Sequence, residues 1–123
     1  MREVFQQELR EVQDRLVEIS DLVASSIENA TQAFNESNVA LAESVIADDS
    51  KIDALAAELD ELAIQILARQ QPVARDLRIV VSALRISASL ERMGDMAEHI
   101  AQDRKSTRLN SSHTVLSRMP SSA

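Results

Sequence analysis

A chain of 123 residues is the size of one domain, and its composition narrows the classes open to it. It has no Cys, Trp or Tyr, only one Gly and two Pro, and a formal net charge of −7. That excludes a disulfide framework and a thiolate metal site, and it disfavours nucleic acid as a partner, because phosphate contacts need clustered Lys and Arg. No basic start leads into an apolar run, and no apolar stretch is long enough to span a bilayer. An all-α cytoplasmic protein without a transmembrane segment is the expectation.

In the first part of the chain the apolar residues recur at alternating steps of three and four: Phe5, Leu9, Val12, Leu16, Ile19, Val23, Ile27, Ala30 and Phe34. This stripe predicts a helix over about 2–35. Ser37 and Asn38 are suitable N-cap residues for a second helix over about 38–70, whose stripe is Leu41, Val45, Ile52, Leu55, Leu59, Leu62 and Ile66. Pro72 disfavours helix at the residue before it and suits the first turn of a third helix, over about 72–102. The third stripe reads Val73, Leu77, Val80 and Leu84, with Ser87, Glu91, Asp95 and Glu98 continuing the spacing. Short connections predict antiparallel neighbours, hence an antiparallel three-helix bundle roughly 45 Å long.

Carboxylates interrupt two of these stripes. Asp49 and Asp53 lie one turn apart on the second helix, and Glu91 and Asp95 lie one turn apart on the third. Asp49 precedes Gln71 by 22 residues, and Asp95 follows Pro72 by 23. Folding the chain at that turn brings Asp49 level with Asp95 and Asp53 level with Glu91. Four converging carboxylates repel one another unless a cation compensates, and carboxylates on facing helices hold metals in helical bundles. The alternative is a solvated acidic face. Asp48 and Glu98 are either outer participants or surface residues. His99 is either a ligand or a surface residue favoured by the helix C-terminus. Gly94 points to a close approach at the backbone, by a ligand or by another helix. Arg69, Arg75 and Arg78 gather around the Pro72 turn, where they recognise an acidic partner or pair with Asp76 or Glu61. No Gly-rich phosphate loop, Ser/His/Asp set or Cys nucleophile is present, so nothing in the sequence indicates an enzyme.

Three stretches carry a resemblance: "MREVFQQELREVQDRLVEI" at the start, "ESVIADDSKIDALAAELDELAIQIL" over 43–67, and "RQQPVARDLRIVVSALRISASLERMGDMAEHIA" over 69–101. Residues 1 to about 102 closely resemble the PhoU family of phosphate-signalling proteins, with QQPVARDLR and LERMGD as the most specific segments. The resemblance implies a cytoplasmic, non-enzymatic regulator built from two tandem three-helix bundles. Such a regulator couples a phosphate ABC transporter, through its ATPase subunit, to a sensor histidine kinase and represses the phosphate-starvation response. The resemblance also implies iron or zinc clusters held by acidic-x-x-x-Asp motifs, matched here by Asp49, Asp53, Glu91 and Asp95. Only the first bundle has room in this chain. An apolar face left uncovered predicts homodimers or larger species. Readings from other classes are a free-standing metal-binding bundle and a helical oligomerisation module.

The last stretch reads differently. "DRKSTRLNSSH" (103–113) and "SRMPSSA" (117–123) back-translate in frame to the two ends of a common short-read sequencing adapter, with a barcode-sized gap between them. Residues 103–123 are therefore expected to be adapter read-through and disordered, the alternative being a genuine Ser-rich terminus. Without them the formal net charge becomes −10, because Arg104, Lys105, Arg108, Arg118 and Asp103 are lost together.

Overall fold

The computed structural model describes residues 2–110, with side chains over 3–106. It contains three helices: α1 (Arg2–Glu36), α2 (Val39–Gln70) and α3 (Ala74–Asn110). Among the described residues there is no strand. Each helix packs on both of the others. The pairs Glu8–Arg69 and Arg15–Glu58 run in opposite order along α1 and α2, so these helices are antiparallel.

The two turns follow local chemistry. Asn38 caps α2: its side chain accepts a hydrogen bond from the Leu41 N–H at 3.0 Å, and its own N–H donates to the Ala33 carbonyl at 3.0 Å. At the second turn Gln71 adopts a left-handed conformation (φ 45°) that ends α2. Pro72 and Val73 lie outside the helices, so α3 begins at Ala74, two residues later than expected. The second turn is tied to α1. Glu8 is nearly buried, and it accepts hydrogen bonds from the Arg69 guanidinium and from Gln70 Nε2. Arg69 therefore pairs with Glu8, neither with Asp76 nor with Glu61.

The core has two parts. The part nearer the Pro72 turn is built from large aliphatics such as Val12, Ile19, Ile52, Leu59, Ile66 and Val80. Toward the far end it is built from Ala30, Ala33, Ala42, Val45, Ala97 and Ala101. Small side chains let the helix backbones approach closely there. The stripes drift as they run, because an α-helix completes a turn in 3.6 residues whereas steps of three and four average 3.5. By its last turns α1 buries Ser26 and Ala33, and it exposes Ile27 and Phe34, which the stripe had placed inside. On α3 the buried positions are Val80, Ala83, Ser87, Gly94, Ala97 and Ala101, while Val73 is open to solvent and Leu77 is partly so.

The third helix also ends later than expected. It runs eight residues past Gln102, to Asn110, and 111–123 lie outside the described residues. The physical reason is local: "DRKSTRLN" contains no Gly or Pro to stop a helix already formed. Arg104 stacks over the Phe34 ring at 4.3 Å and donates to Ser37 Oγ at 3.3 Å, while Lys105 pairs with Glu43 at 3.8 Å.

Candidate metal centre

The α2–α3 seam carries the carboxylates. Helical spacing sets Asp49 and Asp53 one turn apart on one side of α2, with buried Ile52 between them anchoring that face in the core. On α3, Glu91, Asp95 and Glu98 face the same seam, and Gly94 lies against α2. Oxygen atoms of Asp49, Asp53 and Asp95 all lie within 4.8 Å of one another. Glu91 lies beside this group, close enough to Asp53 to feel its charge. The register expected from the Pro72 turn is the one observed: Asp49 meets Asp95, and Asp53 meets Glu91.

Electrostatics follow from that register. Burial pushes the Asp49 carboxyl up to about 6, and the negative charges of Asp53, Asp95 and Glu98 push in the same direction. Burial also raises Glu91, helped first by Asp53 and then by Asp60 and Asp95. Every charge acting on Asp49 is negative. Its Oδ1 is buried without a hydrogen-bond donor. Gly94 makes room for it: a Cβ there would stand 3.5 Å from Asp49 Oδ1 and 3.3 Å from Ile52 Cδ1.

The remaining candidates separate clearly. Asp48 turns to Lys51 at 3.5 Å and leaves the cluster. His99 is exposed, its Nε2 4.0 Å from Glu98, and it stands apart from the three grouped aspartates. Glu98 contributes charge at the edge of the site. Asp60, seven residues beyond Asp53, was missed. The signal for it was present, since a two-turn step keeps a residue on the same face.

The donor set suits a cation. Oxygens separated by less than 4.8 Å can share one ion at ordinary metal–oxygen distances of roughly 2.0–2.6 Å. The set is all oxygen, which favours hard cations such as Mn²⁺, Mg²⁺, Ca²⁺ or iron over zinc, whose sites are usually completed by nitrogen or sulfur.

Fold and site together define a three-helix bundle with an acidic seam between its second and third helices. The model of the PhoU domain matches residues 16–103. The chain belongs to the PhoU family. It is 42% identical over 102 residues to the phosphate-specific transport system accessory protein PhoU homolog 1 of Mycobacterium leprae, covering 83% of this chain and 46% of that protein. To PhoU homolog 2 of Mycobacterium tuberculosis it is 43% identical over 102 residues, 83% of this chain and 48% of the relative. To the PhoU homolog of Aquifex aeolicus it is 42% identical over 95 residues, 77% and 43% of the two chains. The chain thus spans about half the length of these relatives.

Proposed function

We propose that this chain is the first bundle of a cytoplasmic accessory protein of phosphate transport that has no catalytic step of its own. In this reading it acts with the ATPase subunit of a phosphate ABC transporter and with a sensor histidine kinase, and it represses the phosphate-starvation response. The relatives' names as phosphate transport accessory proteins support the first part. No helix among the described residues is long and apolar enough to cross a membrane. One observation carries the reading: within the matched region, two acidic-x-x-x-Asp pairs meet across one seam with an uncompensated buried oxygen.

Asp49, Asp53, Glu91 and Asp95 are the residues that would hold iron or another hard cation. A bound cation supplies positive charge that cancels their repulsion and cross-links α2 to α3. The test uses the tagged chain in cells grown with ample phosphate, cross-linked and purified. Recovery of the transporter ATPase subunit is expected; its absence beside a recovered control partner sinks the reading. Metal analysis then compares wild type with Asp49→Ala and Glu91→Ala, where equal metal in all three removes the cation site.

Self-association belongs to the same reading. Ile27 of α1 and Met93, Met96 and Ile100 of α3 form one exposed apolar patch, which supports a homodimer. We further propose that residues 103–123 are adapter read-through. The family match ends at residue 103, where the adapter-like stretch begins. Long-read sequencing of the source gene through codon 102 decides this.

A further inference from the structure

A second surface lies toward the other end of the bundle, and the carboxylate site does not involve it. α1 and α3 run parallel there, and the seam between them opens into two adjoining hollows of about 570 and 470 Å³. Leu9, Val12, Leu16, Ile79 and Ala83 form the floor with Gln6 and Gln13 beside them, so the first hollow is mixed in polarity and the second mainly apolar. Arg10 of α1 and Arg75 and Arg78 of α3 line its sides. None of these three arginines makes an ion pair among the described residues, although the chain holds 20 acidic residues, and Arg15 and Arg69 are both paired. Asp76 is the one carboxylate lining the hollows; it sits in the first turn of α3, where the helix N-terminus favours an acid. Val73 and Ile86, at the two ends of the groove, expose much of their apolar surface. From Val73 to Ile86 the groove is about 20 Å long, room for roughly three to four turns of helix.

We propose that this α1–α3 groove is the docking site for an amphipathic helix of a protein partner, one with apolar residues at i, i+3 or i+4 and i+7, flanked by Asp or Glu. The concave apolar floor takes the apolar face of such a helix, as in other helix-in-groove recognition. The unpaired guanidinium groups meet its carboxylates, bidentately where geometry allows. A fourth helix seated there completes a four-helix bundle. The apolar floor disfavours nucleic acid, and the concavity disfavours a flat lipid surface. The charge is segregated along the bundle: Ile79 and Asp95 are about 24 Å apart along α3, so the basic groove and the acidic seam bind opposite charges independently. The inference does not rest on a role in phosphate transport.

The test is selection of helix-constrained peptides, about four turns long, from a display library against the full chain. Selected peptides are expected to carry the acid-flanked apolar pattern and to bind less tightly as salt rises. Arg75→Glu with Arg78→Glu is expected to weaken them by at least about tenfold while leaving the helical circular dichroism unchanged, since both side chains are exposed. Peptides with Lys in place of Glu are expected to show the reverse preference. No enrichment, enrichment without acidic flanks, or binding that ignores the double substitution overturns the proposal. So does a wild-type dimer that the double substitution dissociates, which would seat a second copy in the groove. Binding of phosphatidylglycerol vesicles with the same arginine dependence and no peptide selectivity would assign the groove to a lipid surface instead.

Discussion

Asp49 on α2 and Gly94 on α3 meet across the carboxylate seam, where a Cβ on Gly94 would stand 3.5 Å from Asp49 Oδ1. The glycine does not serve an unusual backbone conformation, since its φ is that of an ordinary helix. It serves space. In a helix interior Gly costs about 1 kcal/mol relative to Ala. Gly94→Ala would recover that, less the small displacement of Ile52 Cδ1, which is the flexible end of its side chain. The expected outcome is a metal-free protein up to about 1 kcal/mol more stable, measured by urea denaturation. Gly94→Val places branched carbons against Ile52 and Asp49 and is expected to destabilise by on the order of 2 kcal/mol. If both variants match wild type, the seam is looser than described.

The raised Asp49 and Glu91 carboxyls make stability depend on pH in a direction opposite to that of an ordinary paired acid. In its folded state Asp49 titrates at about 6, against 3.8 for an unperturbed Asp. Between these values the folded protein holds more protons than the unfolded one, so metal-free stability falls as pH rises from about 4 to about 6 and then levels. Two units correspond to about 3 kcal/mol, reduced to roughly 1–2 by solvent at a half-buried site. Asp49→Asn is expected to remove most of this slope and to be the more stable protein at neutral pH, with Glu91 leaving a smaller slope of the same sign. Chemical denaturation across pH 4–8 of chelator-treated protein measures both. A cation bound at the seam reverses the comparison at neutral pH, stabilising wild type over the variant.

The seam was legible because residue counts from a shared turn survive folding: two helices rising from Pro72 keep their register, so Asp49 with Asp95 and Asp53 with Glu91 could be paired in advance. Rotation about the helix axis was less legible. A small error per turn accumulates over 35 residues, which is why Ile27 and Phe34 were assigned to the core in place of Ser26 and Ala33. The Glu8–Arg69 pair was not legible, since charge patterns within a helix do not say which residue of a neighbour stands opposite. The end of α3 was misplaced for another reason. Residue 102 marks a change in the inferred origin of the DNA, and nothing in the amino acids there stops a helix.

Ser87 offers a test of the core that does not touch the carboxylates. Its side chain is fully buried on α3, and its Oγ has no hydrogen-bond partner. A buried hydroxyl left unpaired carries a desolvation cost of about 1–3 kcal/mol, and Ser is also a weaker helix former than Ala. Ser87→Ala loses only one atom of packing. It is expected to stabilise by about 1 kcal/mol and raise the melting temperature by several degrees. Destabilisation of similar size would show that a buried water satisfies the hydroxyl.

The end of α3 separates a helix that continues by inertia from one that belongs to the architecture. Three surface contacts tie its last described side chains to the α1–α2 corner: Arg104 on Phe34, Arg104 to Ser37 and Lys105 to Glu43. Arg104 is half-buried, its Nε buried without a hydrogen-bond partner, and each contact is worth about 1 kcal/mol. Ala101, the last fully buried residue of the far core, precedes them. A chain ending at Gln102 is therefore expected to keep its fold with a loss of no more than about 3 kcal/mol in thermal or urea denaturation. Its carboxylate seam should titrate as before, since no residue beyond 102 acts on Asp49 or Glu91. A loss above about 4 kcal/mol, or a change in that titration, would show that residues 103–110 are built into the bundle and would count against an adapter origin.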